Sequence, residues 1–256
     1  MSLSQIKAIK KPHLFAHRGG NQSGREFENT IKAFSTAVEL GYRFLETDVI
    51  VTKDSKVVCY HGSLTWGDKR ISGLEVRRKL QKLTYSQIKQ KAASKEYEMP
   101  LLEEVLRKFP RICFSIDVKT KEVVEPVVKV IKKVKAEERV IVTSFSLKRS
   151  IRANSLLRGD EIQAALCISR ISLWIITPFN RLFLPYLKAR GIAYLEVSYR
   201  RVNKSLISLA HSQGIFVYAW TVNDAKDMER LLQLGIDGIM SDQTKLLLQT
   251  VKKQKA

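Results

Sequence analysis

Residues 42–49 have the sequence Tyr-Arg-Phe-Leu-Glu-Thr-Asp-Val, a mostly apolar run that is typical of a β-strand. Its two acids, Glu46 and Asp48, are separated by one residue. Side chains alternate across a strand, so both carboxylates point to the same side. Two oxygen-rich side chains directed at one place suggest a binding site for a divalent metal ion.

Similar strand-like runs recur along the chain, with helix-like segments between them. They lie at residues 13–17, 43–49, 111–118, 140–145, 161–167, 193–197, 215–220 and 238–241, with residues 56–60 as an extension beside the second run. Eight strand-and-helix units predict an α/β fold, a (β/α)8 TIM barrel with a small insertion after the second strand. A doubly wound open sheet is the alternative. It is disfavoured because no glycine-rich phosphate loop follows the first strand.

Length and charge limit the domain organisation and the partners. The 256 residues, 45% of them apolar, can bury a large core, and no linker divides them. We therefore expect a single domain over residues 1–256, with a polar insertion at about 63–99. The net charge of +20 would attract an anionic membrane surface for peripheral contact, and a small phosphate-bearing substrate would benefit from the same field. No recognisable nucleic-acid-binding motif accompanies the charge, so specific nucleic-acid binding is not expected.

The cysteines and the N-terminal residues bear on the cellular compartment. Cys59, Cys113 and Cys167 each lie in an apolar, strand-like segment, which is typical of reduced and buried thiols. Residues 1–11 lack an apolar stretch of signal-peptide length. No run approaches the roughly 20 apolar residues of a membrane-spanning helix. We expect a cytoplasmic protein.

A third acid lies in another strand-like run. Asp117 and Lys119 end residues 111–119 at strand spacing, so an acid and a base share one face. Any one of these acids, taken alone, is more often a solvated surface group. Glu46, Asp48 and Asp117 all stand at the carboxyl ends of apolar strands, where burial of an unpaired charge is unfavourable. Together they favour a hard cation, Mg²⁺ or Ca²⁺, over zinc.

Two histidines complete the candidate site. His17 ends the first predicted strand and precedes Arg18, and His61 follows residues 56–60. Active sites of (β/α)8 barrels lie at the carboxyl ends of the strands, where both imidazoles would meet the acids. One imidazole can accept a proton from an attacking hydroxyl while the other donates a proton to the leaving alkoxide. Arg18 and Lys119 can hold the oxygens of a phosphate ester while a metal ion stabilises charge.

These motifs, taken in order, resemble those of the glycerophosphodiester phosphodiesterase family. The match covers nearly the whole chain and is specific as a set. The matching segments are Phe-Ala-His-Arg-Gly-Gly at 15–20, Glu-Asn-Thr at 28–30, Leu-Glu-Thr-Asp-Val at 45–49, His61, Ile-Asp-Val-Lys at 116–119, Ala-Trp-Thr-Val-Asn at 219–223 and Gly-Ile-Asp-Gly-Ile-Met-Ser-Asp at 235–242.

The resemblance implies a TIM barrel that hydrolyses glycerophosphodiesters to glycerol 3-phosphate and an alcohol, using one divalent cation. Such a reaction belongs to glycerol and lipid metabolism. Attack by a neighbouring substrate hydroxyl, through a cyclic phosphate, and direct attack by water both stay open. The implied roles are acid/base catalysis for His17 and His61, metal binding for Glu46, Asp48 and Asp117, and substrate binding for Arg18, Lys119 and Trp220.

Some positions depart from the family pattern. Gly62 follows the second histidine where the family usually has aspartate, so a carboxylate that orients His61 or the ion is missing. Asp117 stands where glutamate is common, and it keeps the ligand chemistry with a shorter reach. Gln243 replaces the usual proline after Ser241-Asp242.

Two alternative functions stay open. A lysophospholipase D would apply the same chemistry to single-chain phospholipids, with the apolar and basic residues 171–190 docking on lipid. We favour core packing for this stretch, because aromatic residues at helical spacing usually pack inside a fold. A non-catalytic phosphoanion-binding barrel would account for Gly62 and for the positive charge, and it predicts binding without turnover.

Overall fold

The computed structural model describes residues 11–22, 24, 27–61, 65–66, 69–70, 78–93, 98–157, 164–168 and 180–254. Strands and helices alternate through these residues, as the apolar periodicity predicts. In chain order the elements are β1 (His13–Ala16), α1 (Ile31–Glu39), β2 (Phe44–Val51), β3 (Val57–Cys59), β4 (Thr65–Trp66), β5 (Lys69–Arg70), α2 (Tyr85–Ala93), α3 (Leu102–Lys108), β6 (Cys113–Val118), α4 (Lys121–Lys133), β7 (Val140–Ser144), α5 (Leu147–Leu157), β8 (Ala164–Ile168), α6 (Asn180–Ala189), β9 (Ile192–Ser198), α7 (Lys204–Ser212), β10 (Phe216–Trp220), α8 (Ala225–Gln233), β11 (Gly238–Ser241) and α9 (Thr244–Lys253).

Eight parallel strands close into a barrel. Each strand pairs with the next in the order β1, β2, β6, β7, β8, β9, β10 and β11, and β11 pairs with β1 again. The closing registers place His13 opposite Gly238 and Phe15 opposite Phe44. β3 pairs antiparallel with the end of β2 and lies beside it. It is not one of the eight strands of the barrel. The structure confirms the predicted (β/α)8 fold.

Amphipathic helices cover the outside of the barrel. In α4, Val123, Val127 and Ile131 lie on one face at helical spacing, and all three are buried against the sheet. Burial of such apolar faces is the main stabilising contribution to the fold. Among the described helices, none is both long and apolar enough to span a membrane.

One buried cation stabilises the connection between α3 and β6. Arg139 Nη1 donates hydrogen bonds to the carbonyl oxygens of Phe109 and Ile112, both at 3.2 Å, and Nη2 donates to that of Leu106 at 2.7 Å. These carbonyls lie in the last turn of α3 and in the following loop. The end of a helix leaves such groups without intrahelical partners, and Arg139 supplies the missing donors.

Aromatic side chains fill the barrel interior. Phe15, Phe44, Tyr194 and Tyr218 are buried there, and neighbouring rings have centroids 5.1 to 5.4 Å apart. Gly238 makes room for this packing, since a Cβ there would lie 2.7 Å from a ring carbon of Tyr218 and 2.9 Å from a β1 carbonyl oxygen. Because rings occupy the middle of the barrel, open space remains at the carboxyl ends of the strands.

The segment at residues 63–99 is described in part. β4 and β5 form a small antiparallel pair, and α2 follows. Leu80 and Ile88 are buried in one cluster with Ile50 and Val58, so this part of the segment packs on the edge formed by β2 and β3. The boundaries of a single domain with an insertion at about 63–99 stay a prediction, because much of the segment lies outside the described residues.

Candidate active site

A cavity of about 360 Å³ opens at the carboxyl ends of the barrel strands. This is the end at which (β/α)8 enzymes carry their active sites. Closure of the barrel brings the residues that follow β1 and β3 beside the ends of β2, β6 and β10. All the residues predicted for the site line this cavity, namely His17, Arg18, Glu46, Asp48, His61, Asp117, Lys119 and Trp220.

The predicted acids form a mixed-charge cluster with two cations. Asp48 lies opposite Asp117 in the parallel pairing of β2 with β6, and Glu46 precedes Asp48 on the same face. Lys119 Nζ lies 2.7 Å from Asp48 Oδ1 and also contacts Asp117, so one ammonium group bridges two carboxylates. Arg18 Nε lies 2.9 Å from the second oxygen of Asp48, an ion-pair contact without hydrogen-bond geometry.

Burial and neighbouring charges set the protonation of these acids. Burial and the charge of Asp48 raise the pKa of Glu46 above its ordinary value. Burial also raises the pKa of Asp117, although Lys119 opposes the effect. For Asp48, burial acts in the same direction, but Lys119 and Arg18 outweigh it and hold that pKa below its ordinary value. Burial therefore favours the protonated form of Glu46 and Asp117, whereas the two cations favour the ionised form of Asp48.

The donor set fits a hard divalent cation in its chemistry. The three acids are buried and supply oxygen ligands, and Asp117 Oδ1 accepts no hydrogen bond from a described residue. A preformed ligand geometry is not observed. Within the described ranges, no three His, Cys, Asp or Glu side chains are arranged to hold an ion. An ion bound by Asp48 and Asp117 would compete there with Lys119.

His17 is held in place by an acid from the far end of the chain. It begins a one-turn 3₁₀ helix, His17–Gly19, directly after β1. Its Nδ1 lies 2.6 Å from Asp242 Oδ1, and its Nε2 lies 3.6 Å from Glu46 Oε2. Burial alone would lower the pKa of His17, but Glu46 and Asp242 outweigh it and raise that pKa. Since Nδ1 donates to Asp242, Nε2 is the atom that can transfer a proton.

The contact between His17 and Asp242 was not predicted from the sequence. Asp242 and Asn223 belong to recognised motifs, but Asp242 lies 225 positions from His17 along the chain. Pairing of β11 with β1 brings the two side chains together. Asn223 Nδ2 donates to the other oxygen of Asp242 at 2.7 Å, which fixes the carboxylate.

The motif Glu28-Asn29-Thr30 makes hydrogen bonds that position residues of the site. Glu28 Oε2 accepts a hydrogen bond from Arg18 Nη1 at 2.9 Å. Asn29 Oδ1 accepts one from the main-chain N–H of Asp48 at 3.2 Å. Thr30 is the N-cap of α1, where its hydroxyl oxygen accepts from a main-chain N–H in the first turn. The motif thus positions Arg18 and Asp48, a role that its sequence pattern does not predict.

His61 differs from His17 in its protonation. The main-chain N–H of Tyr60 donates to the carbonyl oxygen of Asp48 at 2.9 Å, which holds the chain before His61 beside β2. Burial, with a smaller contribution from Arg18, lowers the pKa of His61 to about 4 against the charge of Asp48. His61 is therefore uncharged at neutral pH. Gly62, the departure from the family pattern, lies outside the described residues.

The lining of the cavity also includes two aromatic rings and one more acid. Phe145 and Trp220 meet edge to face, with ring centroids 5.5 Å apart. Glu196 of β9 is buried, and its oxygens accept hydrogen bonds from the hydroxyls of Ser115 at 2.7 Å and Thr143 at 3.0 Å. Burial raises the pKa of Glu196 to about 7. The sequence predicts this strand without a role for Glu196, although a lone acid inside an apolar strand was the available signal.

The fold and the cavity together define a class of protein. A closed (β/α)8 barrel with imidazoles, carboxylates and cationic side chains at the strand ends is typical of hydrolases that act on phosphate esters. The chain belongs to the glycerophosphoryl diester phosphodiesterase family, whose profile matches residues 17–246. This confirms the resemblance seen in the motifs and the prediction of a phosphoric diester hydrolase.

Relatives of known name or structure agree with this assignment. The "Probable glycerophosphodiester phosphodiesterase 2" of Mycobacterium tuberculosis is 30% identical over 238 residues, which cover 91% of this chain and 88% of that protein. A lysophospholipase D of Homo sapiens is 27% identical over 268 residues, covering 89% and 82%. A phosphodiesterase of Oleispira antarctica, solved in complex with the product sn-glycerol-3-phosphate, superposes with a TM-score of 0.76 at 20% identity, covering 98% of this chain and 100% of that one.

Proposed function

We propose that this protein hydrolyses glycerophosphodiesters to glycerol 3-phosphate and an alcohol. The observation that carries the proposal is a single cavity that holds one imidazole of raised pKa, one of lowered pKa and two fixed cations. Membership of the family supports the same reaction. It also disfavours the alternative of a non-catalytic phosphoanion-binding barrel.

Arg18 and Lys119 are the residues proposed to hold the phosphate. Both contact Asp48, and Arg18 is also held by Glu28, so their charges are fixed at the cavity wall before a substrate arrives. Fixed cations stabilise the charge that grows on phosphoryl oxygens without further reorganisation. Trp220, which lines the same cavity, would contact the carbon skeleton of the substrate.

His17 and His61 are proposed to move the protons. His61 is uncharged at neutral pH and accepts the proton of the attacking hydroxyl. His17, held at Nδ1 by Asp242, donates a proton from Nε2 to the leaving alkoxide. Environments that push two pKa values apart are typical of an acid/base pair. Each transfer contributes on the order of 10²–10⁴-fold to the rate, whether water or a substrate hydroxyl attacks.

Glu46, Asp48 and Asp117 are the residues proposed to bind one divalent cation, Mg²⁺ or Ca²⁺. When bound, the cation would stabilise negative charge on a phosphoryl oxygen. The raised pKa of Glu46 supports the proposal, because a buried carboxyl with an acidic neighbour gains from added positive charge. Calorimetric titration of the metal into the wild type and Asp117→Asn tests it without turnover. We expect the variant to bind at least about 10-fold more weakly, the equivalent of 1.4 kcal/mol.

A hydrolysis assay with glycerophosphocholine tests the reaction. We expect turnover with Mg²⁺ or Ca²⁺, its loss in EDTA and its recovery when the cation is restored. His17→Ala and His61→Ala are expected to lower kcat at least about 100-fold. His211→Ala is the matched control, because His211 binds Asp237 at the other end of the barrel. Wild-type turnover by His17→Ala would refute the acid/base proposal, and turnover in EDTA would refute the metal proposal.

A second candidate function is the hydrolysis of single-chain phospholipids. Tyr186 of α6 is 42% exposed, stacks on Phe183 and lies 4.8 Å from the guanidinium carbon of Arg190, which makes an apolar and basic surface. Phe183 packs against the core, as the packing interpretation predicts, and residues 171–179 lie outside the described ranges. The relative named lysophospholipase D supports this candidate.

Hydrolysis assays with lysophosphatidylcholine and with glycerophosphocholine distinguish the two candidate functions. A lysophospholipase D would hydrolyse the lysolipid with the higher kcat/KM and lose that preference in Tyr186→Ser. A glycerophosphodiesterase would prefer the short substrate and would not respond to this surface substitution. Sedimentation with vesicles that contain anionic lipid tests peripheral membrane contact directly.

A further inference from the structure

Among the described residues, Glu196 forms no ion pair with a cationic side chain, unlike Asp48, and Lys119 acts on it only at longer range, where Asp117 opposes the effect. Asp48 contacts Lys119, and Glu46 lies 3.6 Å from Nε2 of His17. Glu196 is 3% exposed, and its described partners are hydroxyl groups. A buried carboxylate without a directly paired counter-charge is unfavourable, so this position favours a ligand that carries positive charge.

The hydroxyl partners hold Glu196 in place but do not saturate it. Ser115 Oγ donates to Oε1 at 2.7 Å, and Thr143 Oγ1 donates to Oε2 at 3.0 Å. An ionised carboxylate offers about four lone-pair sites, so each oxygen can accept a further donor. Because Glu196 lines the same cavity as His17, that donor can belong to a substrate.

Aromatic rings lie on the same side of the cavity. Phe145 is 43% exposed and meets Trp220 edge to face. Lys119 Nζ lies 5.5 Å from the ring centroid of Phe145, so this ring already has one cation near it. Aromatic faces attract organic cations, quaternary ammonium groups included. Arg18 and Lys119 supply the chemistry of a phosphate site, and Glu196 with the two rings supplies the chemistry of an ammonium site in the same cavity.

We propose that Glu196 makes this enzyme select phosphodiesters whose alcohol half carries an ammonium group. The inference rests on the proposed function, since it places the phosphate of the same substrate at Arg18 and Lys119. The ammonium group contacts the Glu196 carboxylate and the faces of Phe145 and Trp220. A neutral alcohol leaves the carboxylate uncompensated and binds less well.

Substrate competition in Glu196→Gln tests the selection. The probes are glycerophosphoethanolamine, whose alcohol is cationic, and glycerophosphoglycerol, whose alcohol is neutral. We expect wild-type kcat/KM to favour the cationic diester, and Glu196→Gln to reduce that preference at least about 10-fold, mainly through KM. Glu138→Gln, an exposed glutamate, is the matched control and is expected to keep the wild-type preference. Equal losses for both diesters, or an unchanged ratio, would overturn the proposal.

Binding of the two diesters to the His17→Ala variant tests the ammonium selection independently of the proposed reaction. Calorimetric titration of the two diesters into that variant needs neither turnover nor a change at Glu196. We expect at least about 10-fold tighter binding of the cationic diester. Equal affinities overturn the selection even if the wild type hydrolyses both substrates. A clear preference, with no hydrolysis by the wild type, keeps the ammonium site and refutes the proposed reaction.

Discussion

Replacement of Glu196 by Gln is expected to stabilise the metal-free protein, and increasingly so as the pH rises. Burial raises the pKa of Glu196 from 4.5 to about 7. Between these values the folded protein holds a proton that the unfolded chain releases, so wild-type stability falls as the pH rises. At about 1.4 kcal/mol for each pKa unit, the loss is about 1 kcal/mol at pH 5 and about 3 kcal/mol at pH 8. Gln keeps the shape without the charge, since its amide oxygen accepts from one hydroxyl and its amide NH2 donates to the other, and so it avoids the loss.

Urea denaturation followed by circular dichroism, in EDTA and at constant ionic strength, measures the effect. The free energy of unfolding of Glu196→Gln should exceed that of the wild type by about 1 kcal/mol at pH 5 and about 3 kcal/mol at pH 8. Glu138→Gln controls for the loss of an exposed acid, and it should remain within about 0.5 kcal/mol of the wild type. A variant less stable than the wild type at pH 8, or a difference that does not grow with pH, refutes the reasoning.

Three further predictions concern positioning and packing. Asp242→Asn should lower kcat at least about 10-fold and move the alkaline limb of the kcat–pH profile to lower pH, because Asp242 orients His17 and raises its pKa. Gly238→Ala should destabilise by about 1–3 kcal/mol in thermal unfolding, since its Cβ would lie 2.7 Å from a buried tyrosine ring. Arg139→Met should destabilise by about 2–3 kcal/mol in urea, because buried carbonyl oxygens lose their donors.

Matched variants control for the first two of these changes. Asp227→Asn removes an acid of α8 outside the cavity and should leave the pH profile unchanged. Gly41→Ala places its Cβ in open space at a φ of +95°, so it measures backbone strain without a steric clash. If Gly238→Ala is no less stable than the wild type, the close packing inferred for the barrel interior is wrong. Wild-type stability of Arg139→Met would show that water replaces the guanidinium.

Much of the fold follows from local sequence patterns. The apolar run at residues 43–49 predicts β2, and the spacing of Val123, Val127 and Ile131 predicts α4, because each pattern depends only on near neighbours. Residues 56–60 were interpreted as an extension beside the second strand, and β3 lies there in antiparallel pairing with β2. Strand ends differ from the predicted ones by a few residues, since tertiary pairing, which no local pattern encodes, decides where a strand stops.

The sequence predicted those parts of the candidate site that depend only on the alternation of side chains along a strand and on the order of the motifs. Glu46 and Asp48 share a face because strand side chains alternate, and the barrel brings His17 to the same cavity. The bridge from Lys119 between two carboxylates depends on strand register. The role of Glu196 depends on its lack of an ion-pair partner among the described residues, which only the folded chain defines. The assigned roles in catalysis and metal binding stay predictions.

The most direct test of the central claim follows a glycerophosphodiester by ³¹P NMR in the presence of the purified protein and Mg²⁺ or Ca²⁺. We expect the diester signal to be replaced by that of glycerol 3-phosphate, at a rate at least about 100-fold higher for the wild type than for His17→Ala. A diester signal that persists with the folded wild type and either cation would contradict the account, and so would equal rates for the two proteins.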